Sequence, residues 1–131
     1  MHIFEKVTNG ILSLFKNRFK ILAYHGIESN FADKYEVLLS NFLEQMRFLH
    51  ESRYKVVSLS EALHNIRNKV NVIDSIVLTF DDAHDSFFKN AIPVLERYSF
   101  PATIFIPTGF IGKEDTFSTT IYNKKKYIAS L

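Results

Sequence analysis

The sequence contains no cysteine, which excludes a disulfide framework and any thiolate metal site. It has no tryptophan, and only 4 glycines and 3 prolines in 131 residues. No strand is followed by a glycine-rich loop, so the chain lacks the backbone cradle that magnesium-dependent phosphate chemistry requires. Nowhere do the roughly 20 consecutive apolar residues of a membrane span occur. Neither sign of charge dominates, with 16 basic and 14 acidic side chains. The basic run Lys124–Lys126 reads as a solvated tail, and no nucleic-acid partner is expected. The N-terminal stretch "MHIFEKVTNGILSLFKNRFK" has only "ILSLF" as an apolar core and no small-residue cleavage site. A secretory signal is therefore not expected, and a cytoplasmic location is the default.

What is present is a globular composition, 47% apolar and 23% charged, with 13 phenylalanines and 6 tyrosines that imply an aromatic interior. One domain at most fits this length. Residues 1–19 form a separate amphipathic segment, in which Ile11, Leu14 and Phe15 stand beside Lys16 and Arg18. Such a segment packs on its own domain or lies on a membrane surface as a peripheral anchor.

From residue 20 strand and helix patterns alternate. "KILAYHG" (20–26) reads as a buried strand and 27–38 as a loop. A helix follows, capped by Ser40 or Asn41, with Phe42, Leu43, Met46 and Leu49 at helical spacing. "YKVVSL" (54–59) is a strand, and Ser60 opens a helix that runs to Arg67. "SIVLTF" (75–80) is the clearest strand. Residues 84–98 are helical in spacing, with Pro93 placed in the first turn of the main helix and 84–91 left as a loop or separate turn. "PATIFIP" (101–107) is the last strand. Short, continuously apolar strands alternating with helices predict an α/β fold of parallel strands with right-handed crossover helices.

Ligands in such folds sit beyond the carboxyl ends of the strands. His25, the pair Asp81-Asp82 and Pro107-Thr108 fall at three of those ends. Two adjacent carboxylates repel in a partly dry site unless a cation or hydrogen-bond donors neutralise them. One Asp binding a divalent ion and the other acting as a base toward water is one solution; capping of the next helix is the structural alternative. His84 lies two positions beyond Asp82 and reads either as a site-lining group or as an exposed histidine at the helix start. His25 reads either as site-lining or as a strand-end histidine bonded to backbone. His2, His50 and His64 fall away from that edge.

The stretch "IVLTFDDAHDSFFKNAIPVLERYSFPATIFIPTGFIG", with "ILAYHGI" and "FLEQMRFLHESRYKVVSLSEAL" before it, resembles the first half of a polysaccharide deacetylase domain. The resemblance covers residues 20–112 and implies about half of a distorted β/α barrel. It implies metal-dependent hydrolysis of N-acetyl groups on carbohydrate polymers, with Asp81 as catalytic base and Asp82 as metal ligand. The divalent metal, zinc by the same resemblance, would bind if a complete site forms. The partner implied is an N-acetylated polysaccharide or oligosaccharide.

Two departures stand out. Ala83 occupies the glycine of the T-F-D-D-G motif, which costs strain if φ is positive there. The H-x-x-x-H pair that completes the family's metal site is missing, since no histidine follows His84. Residues 113–131 read as an atypical tail, and the chain is expected to be a truncated or partial domain. Its exposed sheet edge invites self-association. An inactive remnant that binds carbohydrate or protein is the alternative function.

Overall fold

The computed structural model describes residues 19–30, 32, 34–72 and 74–111. The tail 113–131 and all but the last residue of the segment 1–19 lie outside the described residues.

The centre of the fold is a strand, Ser75–Phe80, in which all six residues are buried. Numbered along the chain, the strands are β1 (Lys20–Tyr24), β2 (Gly26–Glu28), β3 (Glu36–Leu38), β4 (Lys55–Val56), β5 (Ser75–Phe80) and β6 (Thr103–Ile104). The helices are α1 (Leu39–Glu51), α2 (Leu59–Arg67) and α3 (Ile92–Tyr98). A π-helical turn, Phe87–Ala91, leads into α3, and a 3₁₀ turn, Thr108–Phe110, follows β6.

β5 pairs in parallel with β1, β4 and β6, in the register Tyr24 opposite Phe80, Lys55 opposite Ser75 and Thr79 opposite Thr103. Both faces of β5 are covered. Ile76, Leu78 and Phe80 point into the main core with Tyr24, Ile27, Phe42, Met46, Leu49 and Leu95. Val77 faces the other way, against Val57 and Ala62. This two-sided burial is why the strand reads as a mostly apolar run, broken only by Ser75 and Thr79, rather than as an alternating one. Phe80 has no exposed surface and packs on the rings of Tyr24 (5.2 Å), Phe42 (6.0 Å) and Phe87 (4.7 Å). Burying a side chain of this size contributes roughly 1.5–3 kcal/mol, and each ring pair adds about 0.5–1.5 kcal/mol.

The α/β class and parallel pairing are as expected, while several boundaries differ. Residues 27–38 are not simply a loop, because β2 and β3 form a parallel pair of their own, Gly26 opposite Glu36. Three-residue strands are too short to show a period. α1 starts at Leu39 with Leu38 as its boundary residue and no side-chain cap. β3 runs straight into the helix, which leaves Ser40 and Asn41 inside it rather than before it. α2 is capped by Ser58, whose hydroxyl accepts the Glu61 N–H at 3.1 Å, two residues before the Ser60 opening expected.

The strands expected over 54–59 and 101–107 shrink to two residues each. Val57 N–H donates to the Ile76 carbonyl and Phe105 N–H to the Phe80 carbonyl, so β4 and β6 share one edge of β5 and each takes one end of it. Pro93 stands in the first turn of α3, as its fixed φ favours.

β1 holds the opposite edge of β5. Asp81 N–H donates to the Tyr24 carbonyl, so Tyr24 turns its backbone groups toward β5. Strand alternation then turns those of Ile21 and Ala23 to the far side, where β1 has no strand partner among the described residues. A groove of about 790 Å³ runs between that edge and α1, lined by Ile21, Ala23, Gln45 and Phe48 among others.

Candidate functional site

The carboxyl end of β5 delivers Asp81 and Asp82 directly after the buried Phe80. The chain then turns sharply: Asp82 has φ 67° and Ala83 has φ 47°, two successive residues in the left-handed region. Each costs an L residue roughly 1–2 kcal/mol, and such strain collects at functional sites. In the first of these the chain uses an aspartate; in the second it uses alanine at the position of the motif glycine. The turn carries His84 back over Asp82.

β1 ends at Tyr24, opposite Phe80, and this register sets His25 level with Asp81. The His25 Nε2 stands 4.0 Å from Asp81 Oδ2 and 3.9 Å from Asp82 Oδ2. The His84 Nε2 stands 3.7 Å from the same Asp82 oxygen. Four side chains separated by up to 59 positions thus meet at one point. Three of them are partly open to solvent, at 41% for His25, 38% for Asp81 and 46% for Asp82, whereas the His84 side chain is only 6% exposed. The expectation of an exposed histidine at the helix start is therefore corrected. The double left-handed turn folds the imidazole inward, and sequence spacing alone gives no sign of that reversal. Thr108, expected at the same edge, is exposed and opens the 3₁₀ turn after β6.

Three further residues hold these groups in place and were not singled out from the sequence. Ser86 Oγ accepts the Ile27 N–H at 3.2 Å, and Asn90 Nδ2 donates to the Ile27 carbonyl at 2.6 Å. Both backbone groups of Ile27 are thereby tied to the segment after His84, which locks β2, and with it His25, against the turn. Ser86 and Asn90 are four apart, a spacing that marks one helical face and could have flagged them. Glu36, buried in β3, packs beside Gly26: a Cβ on that glycine would lie 3.1 Å from Glu36 Cγ and 3.2 Å from its Oε1. A side chain there would push the Glu36 side chain aside by a few tenths of an ångström. At the rim, the Tyr35 ring, 55% exposed, lies 6.0 Å from the His25 ring.

Carboxylate and imidazole are the donor types zinc takes. Among the described residues, no group of three or more His, Asp or Glu side chains is placed so that it could hold a metal ion. The two imidazoles stop 3.7 and 3.9 Å from Asp82, beyond hydrogen-bond length. The donor types suit a divalent ion, but the described residues by themselves do not make a site for one.

The family described as "Polysaccharide deacetylase" matches residues 68–130. The chain is 33% identical over 92 residues to a poly-beta-1,6-N-acetyl-D-glucosamine N-deacetylase of Staphylococcus aureus (strain NCTC 8325 / PS 47), an overlap of 70% of this chain and 32% of that protein. It is 31% identical over 96 residues to the protein of the same name in Escherichia coli (strain K12), covering 71% of this chain and 14% of the relative. Among solved structures, IcaB from Ammonifex degensii superposes with a TM-score of 0.73 at 21% identity, over 87% of this chain and 45% of that one. A polysaccharide deacetylase from Bacillus cereus gives a TM-score of 0.61 at 29% identity, over 81% of this chain and 34% of that one. The aligned part of the chain thus spans a third or less of the curated relatives' length. With the fold, the sequence likeness and the family match in agreement, the chain belongs to the polysaccharide deacetylase family.

Proposed function

We propose that this chain supplies the two-carboxylate half of an N-deacetylase site acting on N-acetylated glucosamine polymers. The observation that carries this reading is the convergence of Asp81, Asp82, His25 and His84 at the carboxyl end of the most deeply buried strand. The names of the sequence relatives support the substrate class.

Asp82 would be one ligand of a divalent ion, which when bound would supply Lewis acidity for the acetyl carbonyl. Asp81 keeps its carboxylate free of that ion and takes a proton from the attacking water. The water oxygen bonds to the acyl carbon, the amide C–N bond breaks, and the proton passes to the departing amine. Acetate and a free glucosamine amine result. The Tyr35 ring beside His25, 55% exposed and with Lys34 Nζ 4.6 Å over it, is a surface on which a sugar ring can rest. The edge of β1, which has no strand partner among the described residues, is the surface through which the chain would self-associate.

The test is release of free amine from N-acetylated β-1,6-glucosamine oligomers by the zinc-loaded chain, beside Asp81→Asn and Asp82→Ala. Amine release that both substitutions abolish supports the reading. If oligosaccharide binding persists without amine release, and is indifferent to chelator and to Asp82→Ala, the chain is a binding module instead.

A further inference from the structure

We propose that Ser86 and Asn90 are positioning residues of the site: they keep the His25 imidazole one water's width from Asp81, so that this carboxylate stays free to act as a base. The inference rests on Asp81 being that base and adds what keeps the neighbouring imidazole from occupying it. His25 Nε2 stands 4.0 Å from Asp81 Oδ2, too far for a direct hydrogen bond and close enough for one water to bond both. Imidazole and carboxylate attract, and both side chains are partly open, at 41% and 38%. A direct bond between them would take up the oxygen that must accept the proton of the attacking water.

The restraint on His25 comes from the backbone on both sides of it. Before it, the Tyr24 carbonyl accepts the Asp81 N–H at 2.8 Å. After it, Ile27 is fully buried, and both of its backbone groups are taken by side chains of the segment that follows His84. Ser86 Oγ accepts the Ile27 N–H at 3.2 Å, and Asn90 Nδ2 donates to the Ile27 carbonyl at 2.6 Å. β2 is three residues long and pairs with β3 alone among the described residues. The two side chains therefore bond Ile27 as a second strand partner would, and they tie it to the same turn that carries the carboxylates. Asn90 lies in the π-helical turn Phe87–Ala91, which the Ile92 N–H closes on the Phe87 carbonyl. Such turns are rare and gather at functional sites, and this one carries a residue that holds Ile27.

The test is the imidazole ¹H–¹⁵N spectrum of the 131-residue chain and of Asn90→Ala, Ser86→Ala and Ser86→Thr, each with and without Asp81→Asn. Threonine keeps the hydroxyl that accepts the Ile27 N–H. In the parent and in Ser86→Thr we expect no low-field His25 N–H proton that Asp81→Asn removes. In Asn90→Ala and Ser86→Ala we expect such a proton, because the released imidazole bonds to Asp81. Amine release from N-acetylated β-1,6-glucosamine oligomers should then lose about tenfold or more in kcat, with KM kept within about twofold, and Ser86→Thr should restore it. A His25 proton bonded to Asp81 already in the parent overturns the proposal, whether or not the alanine variants fold. Folded alanine variants with a lower urea midpoint but an unchanged His25 spectrum overturn it too, and leave the bonds to Ile27 a structural role alone. A parent that releases no amine defeats the proposed function instead, and the His25 proton then decides the positioning by itself.

Discussion

The turn after β5 can be tested by returning the motif glycine. Ala83 is 1% exposed and holds φ 47°, so Ala83→Gly changes three terms at once. Relief of the left-handed strain gains roughly 1–2 kcal/mol. Loss of one buried methyl costs about 0.8 kcal/mol, and the extra freedom of glycine in the unfolded chain costs about 0.4–1 kcal/mol. These nearly cancel, and Ala83→Gly is expected to change stability by no more than about 1 kcal/mol. Ala83→Val has no such compensation. A β-branched residue at positive φ is an outlier, and two more carbons at a 1% exposed position overpack it, so a loss of roughly 2–4 kcal/mol is expected. Urea unfolding of the three proteins, followed by circular dichroism and compared through midpoints at equal slope, reads both changes. A valine variant as stable as the parent, or a glycine variant more than about 2 kcal/mol weaker, would refute a buried left-handed Ala83 and with it the turn that aims His84.

Two other outcomes follow from the fold. Burial pushes the Tyr24 hydroxyl from its ordinary 10.0 up to about 12. The folded state therefore holds that proton more tightly: the stabilisation is full below pH 10 and is lost as pH rises through 12, by roughly 2–3 kcal/mol. The urea midpoint of the parent should fall more steeply over that window than that of Tyr24→Phe; equal slopes would contradict the burial of the hydroxyl. At the β1 edge, Ala23→Pro removes an N–H turned away from β5 and Ile21→Lys puts a charge on an exposed side chain of the same strand; both should convert a self-associated chain to monomer by light scattering. A parent chain that is monomeric at concentrations of about 100 μM would remove the case for self-association through this edge.

Much of the fold was legible because its signals are local. β5 declares itself through six consecutive strand-forming residues, α1 through Phe42, Met46 and Leu49, and α3 through Pro93 at its start. The short pieces escaped because their pairing is decided by neighbours distant in sequence. β2 and β3 exist as strands only against each other, and β4 and β6 are cut to two residues each by sharing one edge of β5.

The site divides in the same way. Sequence by itself determined that two carboxylates stand at the end of the most buried strand, because an apolar run ending in Asp81-Asp82 can be read from residue order, and it set His25 at the end of a neighbouring strand. It also determined the glycine-to-alanine change at Ala83 and the lack of any histidine after His84. Only the tertiary structure decided that His84 is buried and turned onto Asp82, since two successive left-handed residues reverse the chain where spacing predicts an outward-facing side chain. It alone brought His25 within 4.0 Å of both carboxylates, through the parallel register of β1 on β5, and fixed it there through the Ser86 and Asn90 bonds to Ile27. Register and long-range side-chain bonds join residues some 60 positions apart, and no local pattern of residues encodes which partner each will find.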